Sequence, residues 1–138
     1  MVIAVSACLL GENVKYNGGN NLNEKVVDYV EGHRIVPICP EILGGLTVPR
    51  ASAEIVDGSV KNRDGLSVDK EFRKGAELAL NIIIENKAEL VILQSRSPSC
   101  GVNHIYDGTF SGRLIQGQGV FAEMVRKAGI PVMDVEDL

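Results

Sequence analysis

The chain has 138 residues, a formal net charge of −4 at neutral pH and no tryptophan. This length is typical of one domain, which would span residues 1–138. The acidic balance disfavours binding to extended nucleic acid, which depends on a basic surface. No apolar run approaches the length of a membrane span and no signal peptide is recognisable, so we expect a cytoplasmic protein with no membrane contact.

Apolar periodicity predicts alternating strands and helices along the chain. In chain order we predict a strand over residues 2–5, a helix over about 23–31, a strand ending at residue 39, a hairpin over 54–60, a helix over about 69–86, a strand over 90–93, a helix over 119–127 and a strand opening within 129–133. Aliphatic strands of this kind suit a parallel sheet that is covered on both faces. The predicted fold class is therefore α/β, a small doubly wound, Rossmann-like and mostly parallel sheet with helices on both faces.

Two glycine-rich connections leave alternatives open. The loop after residue 93 runs to Gly117 and has room for a short pair of strands. The stretch Gly117-Gln118-Gly119 precedes the last predicted helix, whose N-terminus could hold a phosphate group. A plain tight turn explains the same two glycines equally well.

The three cysteines each follow a predicted strand. Cys8, Cys39 and Cys100 come shortly after the first, second and third strands of the predicted sheet. Because the carboxyl ends of parallel strands share one edge, these thiols could converge on one site. Three thiolates and one open position suit an iron–sulfur cluster with a substrate-accessible iron, or a zinc ion with a free fourth position. The alternative for each cysteine is a small buried apolar side chain.

Polar side chains accompany the second and third cysteines. Glu41 lies two residues beyond Cys39, where it could act as a general base on water, although a solvated loop glutamate is the alternative. The segment before Cys100 contains Ser95, Arg96, Ser97 and Ser99. Its hydroxyls and guanidinium could serve a cluster or a substrate, or the serines could simply stabilise a turn.

Three blocks of this sequence resemble the DUF523 family, whose members include the thiouracil desulfidases. The blocks are SACLLG at 6–11, CPEILGGL at 39–46, and SRSPSCG at 95–101 followed by IYDG at 105–108. The resemblance covers essentially the whole chain.

The resemblance implies a [4Fe–4S] cluster held by Cys8, Cys39 and Cys100, with its fourth iron free of protein ligands. It also implies desulfuration of 4-thiouracil-type bases or nucleotides, with Glu41 and Ser97 in catalytic roles. The expected reaction is hydrolytic and non-redox: the cluster polarises the thiocarbonyl as a Lewis acid, Glu41 activates water and Ser97 relays a proton. Ser99 is the alternative to Ser97. The further candidates for substrate contact are Ser99, Arg96, Lys15 and Tyr16.

Three functions of other classes stay open at this point. A zinc site with three cysteine ligands would serve a hydrolase, and a cluster without catalysis would serve a storage or sensor module. A metal-free nucleotide-binding domain is disfavoured, because no G-x-G-x-x-G follows the first strand.

The predicted site loops are richer in cations than the whole chain. Lys15, Arg50, Arg63 and Arg96 all lie in or near them. Local positive charge concentrates an anionic ligand, so we predict that a phosphorylated thiouridine is used better than the free base and that long RNA is a poor substrate. The alternative is that these side chains are ordinary solvated charges.

Overall fold

A computed structural model describes residues 1–138. Its strands are β1 (Val2–Ser6), β2 (Arg34–Ile38), β3 (Ala53–Val56), β4 (Ser59–Asn62), β5 (Leu90–Leu93), β6 (His104–Tyr106), β7 (Leu114–Gln116) and β8 (Val132–Asp134). Its helices are α1 (Glu24–Val30), α2 (Pro40–Leu43), α3 (Asp69–Glu85) and α4 (Val120–Lys127), with 3₁₀ turns at Ala7–Leu10 and Val135–Asp137. None of these helices is both long enough and apolar enough to span a membrane.

The main sheet has four parallel strands in the order β2-β1-β5-β8. β1 and β5 lie at its centre, and Ile3 of β1 pairs with Ile35 of β2 and Leu90 of β5. Two antiparallel hairpins, β3–β4 and β6–β7, form separate two-stranded sheets. The predicted α/β class with a mostly parallel sheet is confirmed, as is the predicted hairpin at β3–β4. The loop after β5 contains the short pair of strands, β6–β7, that the sequence left open.

Helices cover both faces of the main sheet because successive side chains of a strand point to opposite faces. On one face Ile3 and Val5 pack with Val26 and Val30 of α1. On the other face Ala4 packs in a larger cluster with α3 and α4. The members of α3 in this larger cluster recur at helical spacing and are Phe72, Ala76, Ala79 and Ile83.

The short helix α2 was not predicted; the sequence indicated only a stiffened loop after Cys39. β2 ends at Ile38, Cys39 occupies the N-cap position of α2 without a capping side-chain hydrogen bond, and Pro40 lies in the first turn, where a missing N–H has no cost. Gly44, at the end of α2, and Gly75 of α3 let the backbones of the two helices contact each other. A methyl group on Gly75 would lie 1.8 Å from the carbonyl oxygen of Pro40, so only glycine permits this approach.

The N-terminus of α4 holds the cysteine loop rather than a phosphate. The N–H groups of Gly119 and Val120 donate to the carbonyls of Gly101 and Pro98, both at 2.8 Å, and the next two N–H groups donate to the Ser99 carbonyl. These donors are satisfied within the protein, so the phosphate interpretation of this turn is wrong. The turn instead supports the segment that carries Cys100.

Candidate active site

A cavity of about 620 Å³ opens at the carboxyl edge of the main sheet, beside the two hairpins. It lies past the ends of β1, β2 and β5, the three adjacent strands that precede the cysteines. Cys8, Cys39 and Cys100 all line it, and all three are free thiols. The structure therefore brings together side chains that are up to 92 positions apart along the chain.

Each thiol has a different local support. Cys8 lies in the 3₁₀ turn after β1, and the Asn21 side-chain amide donates to its Sγ at 3.6 Å. Cys39 is half-buried at the start of α2. Cys100 is only 5% exposed, and the Ser99 hydroxyl oxygen lies 3.6 Å from its Sγ. Hydrogen bonds such as that from Asn21 stabilise sulfur ligands in their charged form.

Burial raises the pKa of all three thiols, and it does so most strongly for Cys100. The negative charge of Glu41 acts in the same direction on each of them. Since thiolates rather than thiols bind metals, a positively charged metal centre is needed to hold these three sulfurs in the deprotonated form. The cavity is thus a poor place for isolated thiolates and a suitable place for ligated ones.

The donor set fits a cluster better than a single ion. No group of three or more His, Cys, Asp or Glu side chains is arranged to hold one metal ion. Thiolates are the usual ligands of iron–sulfur clusters, and three thiols line this cavity. A donor set of thiols alone is the usual one for an iron–sulfur cluster.

Glu41 is held at both of its carboxylate oxygens. Arg50 donates to Oε1 from Nε at 3.2 Å and from Nη2 at 3.1 Å, and the Ser99 hydroxyl donates to Oε2 at 2.8 Å. The Arg50 side chain is 10% exposed and is itself anchored by donating to the carbonyls of Val14 and Thr47. Glu41 is therefore a fixed group of the cavity wall rather than a solvated loop side chain.

Ser97 and Ser99 both belong to this hydrogen-bonded chain. Their hydroxyl oxygens lie 2.9 Å apart. The Ser97 hydroxyl accepts from the backbone N–H groups of Ser99 and Cys100, both at 3.1 Å, which leaves its own proton available to donate. Ser99 is 1% exposed, whereas Ser97 is half-buried. The hydrogen bonds connect Ser97 to Ser99 and Ser99 to Glu41.

Four cations contribute to the lining of the cavity. Lys15, Arg50, Arg63 and Arg96 all contribute to its wall, together with Tyr16. Arg50 is paired with Glu41, and Arg96 is paired with Glu136 at 3.2 Å with both side chains about half exposed. Lys15 and Arg63 form no ion pair, so they are the cations left for a ligand.

Sequence reasoning missed several residues of the wall. Ser6, Asn21, Glu54 and Phe110 line the cavity. Ser6 opens the SACLLG block, but nothing in the local sequence gives it or the other three a role. Ser6 ends β1 and would have been found only by extending the edge-of-sheet reasoning to every polar strand end. The two histidines are exposed and lie outside the cavity.

Comparison with known proteins places this cavity in a family context. Residues 3–137 match the family described as 2-thiouracil desulfurase. The uncharacterized protein YbbK of Bacillus subtilis (strain 168) is 38% identical over 147 residues, which cover 99% of this chain and 97% of that protein. The solved structure of the [4Fe-4S]-dependent thiouracil desulfidase TudS, a DUF523 protein, superposes with a TM-score of 0.92 at 40% identity and covers 99% of this chain and 91% of that chain. The resemblance to DUF523 is confirmed, and the chain belongs to the 2-thiouracil desulfurase family.

Proposed function

We propose that this protein is a [4Fe–4S]-dependent thiouracil desulfidase, which replaces the sulfur of a thiolated pyrimidine with oxygen from water. The observation that carries the proposal is the convergence of three free thiols and one anchored carboxylate on a single cavity. Family membership and the likeness to TudS support the same activity.

Cys8, Cys39 and Cys100 would hold the cluster, one from each of three adjacent strand ends. A bound cluster would supply Lewis-acid chemistry suited to a soft thiocarbonyl sulfur, through an iron that has no protein ligand. Asn21 donates to Cys8 Sγ, so it is suited to stabilise the charge on that ligand, while the Ser99 hydroxyl, whose one proton goes to Glu41, lies 3.6 Å from Cys100 Sγ.

Glu41 is the proposed general base. Arg50 occupies Oε1, so Oε2, which faces Ser99, is the oxygen placed to remove a proton from water. The water oxygen then bonds to the ring carbon, the carbon–sulfur bond breaks, and the sulfur leaves as hydrogen sulfide. Atoms balance without any oxidant or reductant, because one water is consumed for each thiocarbonyl converted to a carbonyl.

The proton route assigns separate roles to the two serines. Ser99 is buried between Glu41 and Ser97, so it relays the proton, and Ser97 is the hydroxyl that meets the substrate. The hydroxyl proton of Ser97 is not used by its backbone contacts, which only donate to its oxygen. This assignment keeps Ser97 as the acid–base partner of Glu41.

The proposed substrate is a 4-thiouracil-type base, used better as a nucleotide than as a free base. Lys15 and Arg63 are unpaired at the cavity wall and are suited to meet a phosphate group, with Arg96 near them. Tyr16 is 45% exposed at the same wall and could contact the substrate. We further propose that residues 1–138 act as one cytoplasmic domain, where reducing conditions keep the three cysteines free.

The test is sulfide release by anaerobically reconstituted protein, measured with 2-thiouracil and 4-thiouracil in parallel. We expect about four irons per chain, sulfide and uracil in equal amounts, and loss of both iron and activity on changing any one cysteine to alanine. Tyr29→Ala, on the exposed face of α1, is the control. An iron-loaded protein that releases no sulfide from either base would favour the sensor module, and retention of iron and activity by one cysteine variant would remove that cysteine from the ligand set.

A further inference from the structure

The aromatic side chains of this chain are unevenly placed. Only six are present, and two of them belong to the hydrophobic core while a third lies exposed on α1. The remaining three all line the cavity, although none of its chemistry requires an aromatic group. The core pair is Phe72 and Phe121, the exposed residue is Tyr29, and the cavity set is Tyr16, Tyr106 and Phe110.

Phe110 is also held in a strained backbone conformation. Four residues other than glycine have positive φ, and two of these, Asp57 and Lys87, are explained by a hairpin turn and a helix end. The other two are Arg96 at 67° and Phe110 at 57°, and both line the cavity. A bulky side chain rarely adopts this conformation, and such strain tends to cluster at functional sites.

A buried carboxylate keeps Phe110 in this position. Glu54 of β3 is 8% exposed, and its Oε1 accepts from the N–H groups of Gly108 at 3.0 Å and of Phe110 at 3.1 Å. A methyl group on Gly108 would lie 2.6 Å from the Ile55 carbonyl, so the loop also lies directly against the hairpin. Phe110 belongs to neither core cluster, so this support does not serve core packing.

We propose that the Phe110 ring stacks on the pyrimidine ring of the substrate and that Glu54 is the positioning residue that holds Phe110 at the cavity wall. This inference rests on the proposed function and adds a residue that binds the base. A ring that stacks equally on the ground state and on the transition state changes substrate affinity and leaves the chemical step alone. Stacking also explains how a planar base could be held beside the reacting groups without a dedicated hydrogen bond.

The test compares Phe110→Ala, Phe110→Tyr and the control Tyr29→Ala in the cluster-loaded protein. For Phe110→Ala we expect KM for 4-thiouracil and the calorimetric Kd for uracil to rise by about fivefold to about a hundredfold, with kcat and iron content within twofold of wild type. Phe110→Tyr keeps the ring and should restore both constants. Unchanged KM and Kd in Phe110→Ala would overturn the proposal, as would an equal loss in Tyr29→Ala.

The positioning role of Glu54 is tested by comparing Glu54→Gln with Glu54→Ala. Glu54→Gln keeps an acceptor oxygen for the two N–H groups and should bind uracil nearly as wild type does, whereas Glu54→Ala should weaken binding as Phe110→Ala does. Equal weakening by Gln and Ala would overturn the positioning role and indicate that the charge itself contacts the base. Uracil binding needs no turnover, so it tests Phe110 even if no thiolated base yields sulfide, in which case the proposed function fails separately.

Discussion

Gly75→Ala is a substitution outside the cavity that we expect to damage it. Gly75 lies in α3, where glycine ordinarily destabilises a helix by about 0.5–1 kcal/mol relative to alanine. Here, however, the added methyl group would lie 1.8 Å from the Pro40 oxygen and 2.9 Å from the Gly44 nitrogen. Both contacts are with backbone, so α2 has to move away as a unit, by about 1.6 Å to bring the 1.8 Å contact to the ordinary van der Waals distance of 3.4 Å.

The two effects can be compared in magnitude. Overpacking of this kind costs about 1–3 kcal/mol, which exceeds the gain in helix propensity, so we expect a net loss of about 1–2 kcal/mol in the free energy of unfolding. The effect on catalysis should be larger. Pro40 lies between Cys39 and Glu41, and a displacement of about 1 Å in a reacting group can reduce the rate by on the order of a hundredfold.

The assay combines urea unfolding with iron content and sulfide release. Lys74→Ala is the matched control, because it lies next to Gly75 on the exposed side of α3. We expect the control to resemble wild type in all three measurements. A Gly75→Ala protein with wild-type or greater stability and wild-type activity would refute the close contact between α2 and α3 as the support of the site.

The other predictions concern the chemistry, the substrate and stability. Glu41→Gln should load iron normally while kcat falls by about a hundredfold or more, and unchanged kcat would remove Glu41 as the base. Changing Lys15 and Arg63 to alanine should raise KM for 4-thiouridine monophosphate but not for 4-thiouracil, with a difference that shrinks in high salt; equal effects on both would contradict the phosphate role. Partial burial alone would raise the pKa of Asp69, but hydrogen bonds from Arg73 and a backbone N–H lower it. The stability that Asp69 contributes is therefore fully present above about pH 4 and lost as the pH falls through the lowered pKa, so Asp69→Asn should be less stable than wild type at pH 7, by a difference that shrinks as the pH falls below about 4.

The amino-acid sequence by itself determined the sheet and the meeting point of the cysteines. Aliphatic runs of four or five residues are typical of buried strands in a sheet covered on both faces, and parallel strands bring their carboxyl ends to one edge. Because Cys8, Cys39 and Cys100 each follow such a run, their convergence could be inferred from the order of strands and cysteines along the sequence. Their roles as cluster ligands stay predictions.

Only the tertiary structure decided how the polar groups are connected. Ser99 and Glu41 are 58 positions apart, and their 2.8 Å hydrogen bond depends on where two loops pack. Arg50 was predicted as a cation for an anionic ligand, but it pairs with Glu41, which no sequence pattern could reveal. Local patterns report periodicity and turn chemistry, whereas partners between loops depend on the packing of the elements that carry them.

The α2–α3 contact shows the same division most clearly. A glycine in the middle of a long helical pattern indicates only a local loss of helix stability. In the folded chain Gly75 lets the Pro40 carbonyl approach to a distance that no other residue allows, and this approach sets where Cys39 and Glu41 stand. The physical reason is steric: a missing Cβ matters only when another backbone arrives at that point, and which backbone arrives is decided by the fold.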